Sequence, residues 1–183
     1  SRARGWRTLV LDRAGAPGGA WAEMAPDMPC LSPRVHDRMP DGSLPQGPGS
    51  IATAQQVLVA IRQFAADANL PLQLGCKVTR LQPQGDGFVV ESASETVQAR
   101  RVILATGEYG RPYLPPLPGR FAGPSCHSRD FSAAALHPGE HLFVVGGGNS
   151  AAEVARRAVA CGARVTLSVR QPLPRGLGVA SLP

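Results

Sequence analysis

Lysine is nearly missing from this 183-residue chain: of 19 basic residues only Lys77 is a lysine. The 18 arginines are scattered, adjacent only at Arg100 and Arg101 and at Arg156 and Arg157. Aromatic residues are also scarce, at 5%. A nucleic-acid footprint needs a basic stripe interleaved with aromatic side chains. The net charge of +6 is too dispersed to make one, so no nucleic-acid partner is expected. Paired cysteines are lacking too: Cys30, Cys76, Cys126 and Cys161 lie 46, 50 and 35 residues apart. That spacing holds neither a CxxC redox dithiol nor half of a zinc site, and no metal is expected. The four read as free thiols of a reducing compartment. No uncharged apolar stretch reaches the length of a membrane span, and the opening SRARGW has no apolar core of a signal peptide. A cytoplasmic protein without a transmembrane segment is expected.

What is present suits a packed core: 43% hydrophobic and 17% charged residues. The 21 glycines and 18 prolines fall in clusters between apolar runs, which favours punctuated α/β architecture over repeats or low complexity. By length the chain is one domain or two small ones.

Residues 1–5 look like the last turn of a helix stopped by Gly5, and residues 7–12, ending on Asp12, like a buried strand. A long Gly/Pro-rich loop is expected over residues 13–50. Thr53 and Gln56 offer a capping box for a helix with Val57, Leu58, Ile61, Phe64, Ala65 and Ala68 on one face, stopped by Asn69 and Pro71. Strands are expected over 72–74, 76–81, 88–91 and 96–99, with Asp86-Gly87 as a hairpin signal. Residues 101–107 form a β-branched run ending in a small-residue turn. Four prolines in 111–119 mark an extended linker and a domain boundary.

The strongest signal follows. An apolar strand over 142–145 runs into Gly146-Gly147-Gly148-Asn149-Ser150-Ala151, then a helix ending at Cys161-Gly162, then a strand over 164–170. A GxGxxG-type turn is weak alone, but between a strand and a helix it sits where a dinucleotide needs it. Gly146 permits the tight turn, Gly148 lets backbone approach a pyrophosphate, and Ala151 allows close helix packing. The helix N-terminus presents N–H groups and the positive end of its dipole to phosphate. At the end of the second strand an acid selects NAD and an arginine the 2′-phosphate of NADP. Arg170 stands there, 22 residues after Gly148, with Ser168 just before it, which favours NADPH. Asp12 is the mirror case, an acid placed for the ribose of a second dinucleotide; an ordinary turn aspartate is the equal alternative.

The run from Phe121 through Gly123 and His127 to Phe131, upstream of the glycine turn, resembles the FxGxxxHxxx(aromatic) signature of flavin-containing monooxygenases and their Baeyer–Villiger relatives. Leu9-Val10-Leu11-Asp12 with Gly18-Gly19-Ala20-Trp21 is similar to that family's FAD ribose acid and Gly-Gly-x-Trp loop. Ala105-Thr106-Gly107 resembles its ATG crossing between domains, and residues 31–40 most resemble bacterial CzcO-like members. The resemblance implies paired Rossmann-like domains, both incomplete: a partial FAD domain over 1–110, lacking its first strand and glycine turn, and a linker with a partial NADP domain over 111–183. The chain is then an internal fragment of a longer flavoenzyme, expected to bind FAD poorly. Asp12, Gly18, Gly19, Trp21, Val78, Ala105, Thr106 and Gly107 would serve FAD. Gly146, Gly148, Asn149, Ser150, Ala151 and Arg170 would serve NADPH, with Phe121, Gly123 and His127 as the signature linker.

By resemblance, NADPH reduces FAD, oxygen adds as a C4a-(hydro)peroxide, and that species oxygenates a heteroatom or ketone of a small molecule. The cofactor carries the hard chemistry, so no catalytic side chain is assigned and His127 is expected to act conformationally. Phe131 in place of Trp leans toward heteroatom oxidation. An asparagine that many members place near the flavin has no match over 29–40. The alternatives are another FAD/NAD(P)-dependent oxidoreductase or a non-catalytic NADP-binding fragment. A flavin disulfide reductase would need the absent CxxC pair.

Overall fold

A computed structural model describes residues 5–107 and 109–170. The expected helix end over 1–5 falls almost wholly, and the tail from 171 wholly, outside the described residues. The chain divides into two compact units at Gly110/Arg111.

The first unit is organised on the helix α1, Ala54–Asp67. Its start is the expected capping box: Thr53 Oγ1 accepts from the Gln56 backbone N–H and the Gln56 side chain accepts from the Thr53 N–H. Its end is a Schellman motif. Leu70 N donates to Ala65 O and Asn69 N to Ala66 O, with Asn69 at φ 44°, where asparagine is tolerated. Ala54, Val57, Leu58 and Ala65 form its buried face.

Three small sheets surround this helix in sequence. Strand β1, Val10–Leu11, pairs in parallel with β4, Leu72–Gln73; the expected six-residue strand over 7–12 shrinks to two because its described partner is only two residues long. The expected loop over 13–50 contains more order than its composition suggests. A 3₁₀ turn spans Gly19–Ala22, another Arg34–His36, and β2, Pro29–Pro33, pairs antiparallel with β3, Ile51–Thr53, across an irregular register. The third sheet is an antiparallel meander of β5, Val78–Gln84, β6, Gly87–Ser92, and β7, Thr96–Ala99.

The β5–β6 hairpin turns one residue earlier than the Asp86-Gly87 signal suggests. Gln84 pairs with Gly87, leaving Gly85 (φ 55°) and Asp86 at the tip. Glycine at the first central position is the type II′ arrangement. Gly87 matters for another reason, since a Cβ there would sit 2.7 Å from Ala99 O in the neighbouring strand. Residues 101–107 form no strand; Ile103 and Leu104 are 89% and 74% exposed, and no backbone partner lies beside them among the described residues.

The second unit is a βαβ unit. Strand β8, His141–Val145, and strand β9, Arg164–Ser168, lie parallel in unbroken register, joined by the helix α2, Asn149–Ala160. Ala151, Val154, Ala155 and Ala158 form its buried face. Mostly alanine, that face lets helix and sheet approach closely. Gly162, at φ 79°, closes α2 with a second Schellman motif through Gly162 N to Val159 O and Ala163 N to Ala158 O. Short 3₁₀ turns at Ser128–Asp130 and Ala133–Ala135 pack against α2.

Candidate functional site

In the second unit the sequence-predicted residues converge. The backbone leaves β8 at Val145, turns at Gly146 with φ 131°, and enters α2 from Gly148. Gly146 N donates to Ser168 O at 2.9 Å, so the glycine turn lies beside the end of β9, and Arg170 follows two residues on, exposed. No side chain caps α2 at Gly148. A Cβ on Gly148 would meet nothing within 4 Å, so the turn faces open space. Asn149 and Ser150 are exposed while Ala151 is buried beneath the turn. A Cβ on Gly146 would stand 3.9 Å from that of Ala151. A helix N-terminus without a side-chain cap, reached through a left-handed glycine and open above, fits a diphosphate.

The signature linker lies in the same unit. Phe121 is 74% exposed, and its ring lies over Gly123, where a Cβ would come within 2.8 Å of the ring. A larger residue at 123 would require the exposed ring to move aside. His127 is half-buried and accepts at Nδ1 from the Arg129 backbone N–H at 3.1 Å, so it caps the Ser128–Asp130 turn.

The first unit holds the residues expected at FAD, dispersed. Asp12 follows β1, and its Oδ1 accepts from Ala14 N at 2.9 Å. It therefore does act as a turn aspartate, with Oδ2 free of any hydrogen bond among the described residues. Gly18, at φ 143°, packs so closely on α1 that a Cβ would overlap Leu58 Cδ1. Gly19 (φ 51°) and Trp21 complete that tight turn, Trp21 N donating back to Gly18 O. Val78, Ala105, Thr106 and Gly107 are exposed. A groove of about 370 Å³ lies between Pro17, the Arg62–Ala66 flank of α1 and the segment from Asn69 to Leu72 that follows it; it includes none of the expected site residues.

Two residues of the 29–37 segment escaped the sequence. Arg34 donates to the carbonyls of Gly49, Pro45, Pro48 and Ile51 and to Gln56 Oε1. Its guanidinium thus ties the proline-rich loop to α1. Asp37 accepts from Ser32 Oγ at 2.8 Å through Oδ1, while its Oδ2 is buried without a partner among the described residues. Burial, then the Asp37 charge, push the Cys30 thiol up from its ordinary range, against the opposing charge of Arg34. Their sequence signals were placement in a long Gly/Pro-rich loop and in the 31–40 stretch that resembles CzcO-like members, neither of which singles out Arg34 or Asp37. All four cysteines are free, no His/Cys/Asp/Glu group among the described residues could hold a metal, and no described helix is long and apolar enough to cross a membrane.

Comparison with known proteins places the chain among oxidoreductases. Residues 23–175 match the sequence profile of a family described as pyridine nucleotide-disulphide oxidoreductase. Among curated relatives, "Uncharacterized oxidoreductase CzcO-like" of Geobacillus kaustophilus is 28% identical over 80% of this chain and 42% of its own length. Indole-3-pyruvate monooxygenase YUCCA1 of Oryza sativa subsp. japonica is 28% identical over 94% of this chain and 45% of its own. Among solved structures, a flavin-containing monooxygenase from Stenotrophomonas maltophilia superposes with a TM-score of 0.83 at 29% identity, over 91% of this chain and 51% of that one. The chain therefore spans about half the length of the relatives it matches, and it shares the Rossmann-like fold of flavoprotein oxidoreductases.

Proposed function

We propose that this chain, which belongs to the pyridine nucleotide-disulphide oxidoreductase family, is part of an FAD- and NADPH-dependent monooxygenase whose 111–183 portion binds NADPH and whose 1–110 portion contributes to the FAD site. The observation that carries this is the strand–glycine–helix turn of the second unit, where Gly146, the open Gly148 and the end of β9 converge. The family and the monooxygenase names of the relatives support an oxidoreductase using flavin.

The N-terminal N–H groups of α2 bind the pyrophosphate, and the helix dipole adds a favourable field. Arg170 takes the 2′-phosphate with a charge-assisted hydrogen bond, which selects NADPH over NADH. Phe121 and Gly123 set the path of the linker entering this unit. In the other portion, Asp12 accepts from a ribose hydroxyl through Oδ2 in this reading, a role supported by Oδ1 alone being committed to its own turn. Gly18, Gly19 and Trp21 hold the loop beside α1, and Ala105, Thr106 and Gly107 leave backbone exposed for close approach. FAD, when bound, supplies the two-electron chemistry with NADPH and oxygen. The protein's own part is to bind, orient and exclude water. Dithiol exchange is disfavoured because no two cysteines here form a CxxC pair.

The test is to purify the protein with added FAD and follow flavin absorbance, NADPH oxidation and oxygen uptake against small thioether and amine substrates. The expected result is NADPH binding with preference over NADH, and, wherever flavin is retained, NADPH-dependent oxygenation. Absence of both flavin and NADPH binding overturns the proposal.

A further inference from the structure

The side chain of His127 is committed to its own backbone. Nδ1 accepts from the Arg129 N–H at 3.1 Å, and the His127 carbonyl accepts from Asp130 N at 2.9 Å. His127 itself is extended, at φ −73° and ψ 150°, as an N-cap residue should be. Imidazole is an uncommon cap, and it has a consequence that Ser, Thr or Asp would not. A ring nitrogen that accepts carries no proton, so the other one must. The turn that this bond closes, Ser128–Asp130, packs against α2, as does the following turn Ala133–Ala135, with Ala133 buried. The capped segment is therefore a wedge on the helix whose N-terminus forms the glycine turn.

We propose that His127 is a positioning residue whose Nδ1 caps the 128–130 turn, fixing the neutral ring as the Nε2–H tautomer and seating that turn against α2. This rests on the reading of α2 as the NADPH helix. His127 moves no proton and touches no reacting atom; it sets how firmly the linker braces the pyrophosphate-binding turn.

Isosteric variants separate the two ring nitrogens, because asparagine places its amide near Nδ1 and glutamine near Nε2. The protein and its His127→Asn, His127→Gln and His127→Ala variants are compared by NADPH titration and thermal unfolding, and the wild-type ring by two-bond ¹H–¹⁵N NMR near pH 8. The expected spectrum shows an unprotonated Nδ1 and a protonated Nε2. His127→Asn, a good cap, stays within about twofold of wild type in NADPH dissociation constant, while His127→Gln and His127→Ala weaken it by up to roughly fivefold, the worth of one cap. A proton on Nδ1, or a glutamine variant that matches wild type while the asparagine variant falls with alanine, overturns the proposal. Should the wild type bind no NADPH, the reading of α2 fails, while the tautomer and the order of unfolding temperatures, asparagine above glutamine and alanine, still decide the cap.

Discussion

Gly18 shows how a single hydrogen in place of a methyl group can hold a loop. At φ 143°, with a Cβ that would overlap Leu58 Cδ1, it lets the Gly19–Ala22 turn lie against α1. Gly18→Ala is expected to lower stability by about 2–3 kcal/mol through strain and overpacking, measured by denaturant unfolding. A neutral substitution would mean that the loop is not packed there. A second residue-scale effect is electrostatic. Burial and the Asp37 charge both disfavour the Cys30 thiolate, and Arg34 opposes them. Because only the thiolate reacts, exposed Cys126 should alkylate ahead of Cys30, with buried Cys76 last. Asp37→Asn removes one of the two raising causes and should speed Cys30 modification below pH 9, read by mass spectrometry of peptides sampled over time. A slower reaction in that variant would contradict the assignment.

At the scale of elements, what the sequence disclosed depended on whether an element is defined by itself or by a partner. Helix α1 carries its start, face and stop locally, in Thr53, Gln56, the apolar spacing and Asn69, and each appears where expected. The β5–β7 meander is nearly as local, and only its first turn shifts by a residue, because Gly85 and not Gly87 supplies the positive φ. Strands β2 and β3 were hidden because Pro29 and Pro33 bound a segment that pairs with Ile51–Thr53 only across the 34–50 loop, which Arg34 gathers by hydrogen bonds no periodicity reveals. Residues 101–107 show the converse, since β-branched composition makes a strand only beside another strand. The ends of α2 are legible again. Gly162→Ala at φ 79°, with Pro138 Cβ 3.4 Å from the added methyl, should cost about 1–2 kcal/mol in thermal unfolding experiments. No loss would argue against the Schellman closure.

On the scale of the whole molecule, the chain holds two compact units whose expected site residues differ in how far the fold gathers them. The second unit brings Gly146, Gly148, Ala151 and the end of β9 to one turn, since a βαβ unit aligns the C-terminal ends of its strands with the start of its helix. The first unit leaves Asp12, the Gly18–Trp21 turn and 105–107 on separate segments, so their proposed common role at FAD rests on family resemblance and not on local geometry. The central claim, that the second unit selects NADPH through Arg170, is tested most directly by measuring NADPH and NADH dissociation constants for the protein and its Arg170→Ala variant. Loss of a charge-assisted hydrogen bond is expected to weaken NADPH by roughly tenfold or more while NADH stays within about twofold. Equal weakening of both nucleotides, or none of either, would contradict it.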